Sequence, residues 1–123
     1  NGNVYWGLKD GLRSLPNTSG ILTKTTLDDN ATNLIAITLD AASNDAIIIK
    51  FSLKRDTAVE VGHLFVTNDG VDAAISGNGN QLAVVGVEFN AEINGTDLEI
   101  KYDSTRTGDN TEMRYVIERW STS

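Results

Sequence analysis

Apolar and polar side chains alternate most regularly between Gln81 and Trp120, where the pattern predicts three β-strands joined by two turns. A period of two residues places one set of side chains on a buried face and the other set in water. The expected inward positions are Val85, Val87, Phe89, Ala91 and Ile93, then Leu98, Ile100 and Tyr102, then Met113, Tyr115 and Ile117. Asn94-Gly95 is typical of a tight hairpin turn, and a longer polar connection runs from Ser104 to Thr111. Strands joined in this way predict an antiparallel meander.

Further strands are predicted between Gly20 and Gln81. Residues 21–27 are rich in threonine and predict an edge strand, while 71–75 predict a short strand followed by an open loop at 77–80. Two strands over 33–40 and 46–55 are expected to point inward at Ile35, Ile37, Leu39, Ile47, Ile49, Phe51 and Leu53. The strand at 58–67 is apolar on both faces, so it is expected to be covered on both sides, with His63 and Phe65 facing inward. One face carries Val59, Val61, His63 and Phe65, and the other face carries Leu64 and Val66.

About eight strands at short spacing predict an all-β fold, either an antiparallel β-sandwich or a jelly roll. Residues 1–20 do not alternate, and their apolar side chains fall partly at helical spacing before Pro16. We expect an irregular or short-helical N-terminal arm at 1–20, packed on its own domain or on a neighbouring subunit, and one domain at 21–123. Asn1 is not a translation start, so the chain is expected to begin inside a longer gene product or after processing.

The composition excludes several classes of function. The 123 residues carry a net charge of −7 and no cysteine. The absence of cysteine removes disulfides, thiolate nucleophiles and cysteine-zinc sites. Acidic residues spread along the chain, without a basic stripe, argue against nucleic acid and anionic membranes as partners. No apolar run approaches the roughly 20 residues of a membrane-spanning helix, so membrane insertion is not expected.

Candidate catalytic chemistry is sparse. The one histidine, His63, has no nucleophile motif near it, and its neighbours in the pattern predict a partly buried structural role. Chance carboxylate pairs are unavoidable among 17 acidic residues, so pairing alone does not indicate a glycosidase. We therefore expect no enzyme activity, no catalytic residue and no cofactor. The Asp-rich segments 28–30 and 68–72 offer oxygen ligands for calcium, but such residues also favour turns, and no metal ligand is assigned.

Four segments stand out in the order of strands and turns: Gly62-His63-Leu64-Phe65-Val66-Thr67-Asn68-Asp69-Gly70, the hairpin from Val87 to Leu98, Lys101 to Gly108, and Met113-Arg114-Tyr115 to Arg119-Trp120. Together they resemble the all-β C-terminal module of tailed-bacteriophage virion proteins, which include tail-fibre, head-fibre and decoration proteins. The resemblance covers about 46–120 and consists of the order of strands and turns. Gly95 and Gly108 match turn residues of the family, and none of the matching residues is catalytic.

The resemblance implies a non-enzymatic structural protein on the exterior of the virion, commonly a homotrimer attached to other virion proteins. Candidate subunit contacts are Tyr5, Trp6, Leu8 and Trp120, the aromatic and apolar residues near the chain ends. The alternative is an adhesion or carbohydrate-binding module that binds a host-surface glycan or protein. Its binding surface would be formed by the loops at 67–72, 77–81 and 104–111.

Overall fold

Eight antiparallel β-strands make up the part of the chain that the computed structural model describes, residues 21–41 and 45–121, and no helix occurs there. The strands are β1 (Thr23–Leu27), β2 (Leu34–Asp40), β3 (Asp45–Arg55), β4 (Ala58–Asn68), β5 (Ala73–Leu82), β6 (Val87–Asn94), β7 (Asp97–Ser104) and β8 (Thr111–Ser121). They form a five-stranded sheet in the order β1-β8-β3-β4-β5 and a three-stranded sheet in the order β2-β7-β6. The predicted antiparallel β-sandwich is therefore confirmed.

The core lies between the two sheets, where the period-two pattern predicted it for most strands. Buried side chains from the two sheets include Ile47, Ile49, Phe51, Leu53, Met113 and Ile117 on one side and Ile37, Leu39, Leu98, Ile100 and Tyr102 on the other. The rings of Phe51 and Phe89 meet edge to face across the gap, with centroids 5.5 Å apart. This geometry is favourable for aromatic pairs, and it ties the two sheets together.

The predicted meander is wrong at its third strand. β6 and β7 form the expected hairpin, but the chain then crosses to the other sheet, where β8 lies between β1 and β3. In this position Met113 pairs with Leu53 and Ile117 pairs with Ile49, so the inward side chains of β8 complete the core of the five-stranded sheet. The connection after Ser104 is a crossover between sheets.

The two outer strands of the five-stranded sheet differ in how well they were predicted. β1 is an edge strand, as expected. β5 is longer than expected, because residues 77–80 continue the strand where an open loop was predicted. Gly77 pairs with Leu64 and Gly79 pairs with Gly62. Glycine and asparagine have low strand propensity, but pairing with the whole length of β4 overrides it.

A β-bulge in β2 changes the face on which Ile35 lies. Ile35 pairs with Lys101 and Ile37 pairs with Ile100, so Ala36 is an extra residue without a partner in the register. One extra residue reverses the alternation. Ile35 is consequently 50% exposed, and its predicted inward orientation is wrong, whereas Ile37 and Leu39 are buried as expected.

The orientation predicted for β4 is also wrong. Leu64 and Val66 face the core, while Phe65 is 40% exposed and His63 lies in solvent. Among the described residues, no second layer covers this outer side.

Neither described range contains a helix long and apolar enough to span a membrane. Tyr5, Trp6 and Leu8 lie outside the described residues.

Candidate functional site

The outer side of the five-stranded sheet presents a group of exposed apolar side chains. We call this surface the apolar face. Its members are the exposed Val59, Val61, Phe65, Leu82 and Trp120, the exposed ring of His63 and the partly buried Ile48 and Val116. Val61 is 52% exposed, Leu82 75% and Trp120 49%. Single exposed apolar residues are ordinary, but contiguous groups on a monomer commonly mark an interaction site.

Cross-strand pairing brings these side chains together. Ile48 on β3 pairs with Phe65 on β4, and Lys50 pairs with both His63 and Val116. Directly paired residues on one face of a sheet have Cβ atoms within about 5.5 Å of each other. The ring of His63 also stacks on Phe65, with centroids 6.0 Å apart and planes at 22°. The apolar face thus extends over β8, β3, β4 and β5, with Lys50 and Glu118 between its apolar side chains.

Basic side chains lie within and beside the apolar face. Lys24, Lys50, Lys54 and Arg114 project from the same side of the sheet as Glu112 and Glu118. Lys50 pairs with Glu118 at 2.9 Å, and Lys24 pairs with Glu112 at 2.9 Å. The hydrogen bond from Lys24 holds the pKa of Glu112 below its usual value. Cations exceed anions here, although the whole chain carries a net charge of −7.

His63 has no catalytic surroundings in the described part of the chain. Its ring is exposed and packs against Phe65, whereas a general base needs a carboxylate to orient it and a nucleophile within hydrogen-bond reach. The prediction of a partly buried histidine is wrong, because β4 turns this face towards solvent.

The Asp-rich segments use their carboxylates within turns. Asp69 Oδ1 accepts hydrogen bonds from the backbone N–H groups of Val71 and Asp72, at 2.9 and 2.8 Å. These bonds lower the pKa of Asp69. Asp29 accepts from the N–H groups of Thr107 and Gly108, at 2.8 and 3.0 Å. Across 21–41 and 45–121, His, Asp and Glu side chains form no group of three or more that could hold a metal ion.

The three segments predicted to form one adhesive surface lie apart. The turn after Asn68 is at one end of β4, whereas the loop after Ser104 lies at the other end, where Arg55 contacts Asp109. Residues 77–81 are inside β5. These segments do not converge, so that predicted surface is wrong.

Arg55 is a structural residue that the sequence analysis missed. It is 4% exposed, and its guanidinium reaches three connections between the sheets. It donates to the carbonyl oxygens of Asp109 at 2.9 Å, Val85 at 3.0 Å and Thr105 at 2.5 Å, and to the Asp29 carboxylate at 2.5 Å. The sequence contained a signal for it, because Arg55 is the next inward position after Leu53.

Arg119 has a similar role at the opposite end of the sandwich. Its guanidinium contacts the Asp45 carboxylate and the Asp40 carbonyl oxygen, which lie on either side of the β2–β3 connection. Arg119 also follows the inward positions of its strand. The two arginines anchor the connections at both ends, so the apolar face lies on a well-braced sheet.

Comparison with known proteins provides little further information. No protein-family model and no curated protein matches the chain. Among solved structures, the tailspike protein of Acinetobacter phage vB_ApiP_P1 is similar to this chain, with 14% sequence identity and a TM-score of 0.48. The match covers 98% of this chain and 26% of the tailspike chain. The chain thus spans about a quarter of the tailspike's length, and we draw no functional argument from a likeness at this level.

Proposed function

We propose that this chain is a non-enzymatic structural protein of a bacteriophage virion that assembles with copies of itself through the apolar face. The observation that carries the proposal is the exposure of Val61, Phe65 and Trp120 together on the outer side of an open sheet. Leaving such a surface in water costs free energy, at about 25 cal/mol for each Å² that contact with a partner would bury. A partner that covers it is therefore expected.

The apolar face is large enough for a stable contact. Four strands about 4.8 Å apart, each rising about 3.3 Å per residue over about ten residues, give the whole outer side that carries the apolar face a projected area of about 600 Å². Standard protein interfaces bury about 800 Å² of accessible surface on each partner. Because accessible area exceeds projected area on a corrugated surface, the face is of suitable size.

Trp120 is proposed as a subunit contact within this face. It lies at the end of β8, pairs with Ala46 and is 49% exposed. Tryptophan is enriched at the centres of interfaces because it buries a large area with few rotatable bonds. Tyr5, Trp6 and Leu8 stay sequence-based candidates for the same interface.

The virion assignment is supported by the sequence resemblance described above. That resemblance also supports a homotrimer on the exterior of the particle, attached to other virion proteins. We propose residues 21–123 as a single β-sandwich domain, on the basis of the chain length and the strand pattern. The surroundings of His63 support a role without catalysis. Incubation with bacterial surface polysaccharide should release no product; depolymerisation would contradict this part of the proposal.

Light scattering across a range of protein concentrations tests self-association. The wild-type chain is expected to reach three times its monomer mass, and Val61→Glu/Phe65→Glu is expected to stay monomeric. Both positions are exposed, so circular dichroism should show an unchanged fold. Val71→Glu/Ile35→Glu is the matched control, since these residues are 75% and 50% exposed and lie outside the apolar face. A wild-type chain that is monomeric at every concentration would contradict the proposal.

A second candidate function is binding of a host-surface glycan on the same face. A shallow cleft of about 480 Å³ between β4 and β5 is lined in part by Lys50, His63, Asn78 and Asn80. Amide groups beside a stacked ring are suited to sugar hydroxyls and sugar faces. A glycan-array signal lost in His63→Ala/Asn78→Ala, with self-association retained, would favour this function.

A further inference from the structure

We propose that the apolar face of one copy is covered by the edge of a second copy, the edge at which β5 and β6 lie side by side. This inference rests on the proposed self-association and names the surface that meets the apolar face. β5 ends the five-stranded sheet and β6 ends the three-stranded sheet. Residues of both strands line a cleft of about 190 Å³ between them, so they form one edge of the sandwich.

β5 lacks the devices that protect exposed edge strands. It is ten residues long, contains no charged residue and no proline, and is exposed from Ser76 to Leu82. Edge strands normally carry lysine, proline or a bulge, because their free N–H and C=O groups otherwise pair with other chains. Such an edge is suited to a contact that covers it.

The edge is acidic where the apolar face is basic. Glu60 and Glu88 both line the cleft between β5 and β6. β5 and β6 carry no lysine or arginine. The apolar face has Lys50, Lys54, Lys24 and Arg114 around it, so face-to-edge contact brings opposite charges together.

Glu60 is the specific feature of this edge. The side chain is half-buried at the cleft, and within the described chain it has no ion pair. Burial raises its pKa, since no nearby cation offsets the desolvation. The rings of Phe51 and Phe89 line the same cleft. A lysine or arginine from the neighbouring copy fits these surroundings, because it supplies the missing charge and packs its alkyl stem on the rings.

The relative orientation of the two contacting surfaces also favours an edge as the partner over the opposite side of the sandwich. The outer side of the three-stranded sheet is acidic as well, with Glu92, Glu99 and Asp103 among its residues. However, two opposite faces of one sandwich are parallel, so repeated contact between them would stack copies in an open row. An edge is roughly perpendicular to the apolar face, so each copy turns relative to the last, and a head-to-tail contact of this kind forms a closed ring when the turns complete a full circle.

Two variants that each disable one surface test the proposal. Val61→Glu/Phe65→Glu disables the apolar face, and Val84→Lys/Glu88→Lys disables the edge at exposed positions. Each variant alone is expected to associate at least tenfold more weakly than the wild-type chain. An equimolar mixture is expected to form a 1:1 dimer and nothing larger, because one intact edge then meets one intact face. Val71→Lys/Asp72→Lys, in the turn between β4 and β5, is the matched control.

Each outcome separates this inference from the proposed function. If the wild-type chain associates and the edge variant associates equally well, the edge is not the partner and only the self-association stands. If both variants are monomeric and their mixture stays monomeric, the pairing of face with edge is wrong. A monomeric wild-type chain would contradict both proposals. Association is also expected to weaken at least threefold between about 0.05 M and 0.5 M salt, because the paired charges are screened.

Discussion

Replacement of Arg55 by methionine tests whether one side chain holds the connections between the sheets. Methionine keeps much of the apolar stem but removes every donor. The carbonyl oxygen of Val85 then loses a partner 3.0 Å away at a residue that is 0% exposed. A buried acceptor left without a partner costs about 1–3 kcal/mol. Thr105 and Asp109 are exposed, so water replaces part of what their carbonyl oxygens lose.

We therefore expect Arg55→Met to lower the free energy of unfolding by about 2–4 kcal/mol. The free energy of unfolding of Arg55→Lys should fall between those of the wild-type chain and Arg55→Met, because a single ammonium group cannot reach acceptors in three directions. Urea unfolding followed by circular dichroism measures the change, at protein concentrations low enough to exclude association. Hydrogen exchange should quicken in 28–33 and 105–110, the loops that Arg55 contacts.

Arg114→Met is the control for this prediction. Arg114 is on the same sheet, but its side chain is 51% exposed and its ion pair with Glu112 is 3.5 Å long. Exposed pairs contribute about 0–1 kcal/mol. A loss below about 1 kcal/mol for Arg55→Met, no larger than the control, would refute the anchoring role and mean that the loops are held by their backbone contacts alone.

Two further predictions concern the same sheet and the pH dependence of stability. A Cβ added at Gly62 would lie 2.4 Å from the Asn78 carbonyl oxygen and 3.0 Å from the Phe51 ring, so Gly62→Ala should lower the melting temperature, at a cost of about 1–3 kcal/mol. The pKa of Asp29 lies below 3.8, chiefly because the Thr107 N–H donates to its carboxylate. The stabilisation is present above pH 3.8 and is lost as the pH falls through the lower folded-state pKa. Asp29→Asn should remove this part of the acid dependence in urea titrations at a series of pH values.

Local alternation was sufficient to predict strands and their inward residues where one face is apolar and the other polar. In β3 and β7 the pattern separates Ile49 and Leu53, or Leu98 and Ile100, from charged neighbours, and all four are buried. Period-two burial depends on residues next to each other in the chain, so the sequence contains it. The same alternation predicts that Arg55 points inward, because it is the next inward position after Leu53.

Pairing between distant segments could not be predicted in this way. A polar connection such as 105–110 is compatible with a hairpin and with a crossover, and the choice depends on whether β8 packs better beside β7 or beside β3. Likewise, the strand character of 77–80 comes from β4 rather than from its own Gly and Asn residues. The bulge at Ala36 depends on the register with β7, which no local pattern contains.

In β4, the failure of the burial prediction bears on function. Its sequence is apolar on both faces, which predicted a strand covered on both sides, yet Val61 and Phe65 lie in solvent in the single chain. A two-sided apolar pattern reports burial in the assembled state, and it does not say whether the cover comes from the same chain or from another. If a second copy covers the apolar face, the two-sided pattern is correct for the assembly and fails only for the isolated chain. On that argument, the residues whose predicted burial fails in one copy are the first place to look for the surface between copies.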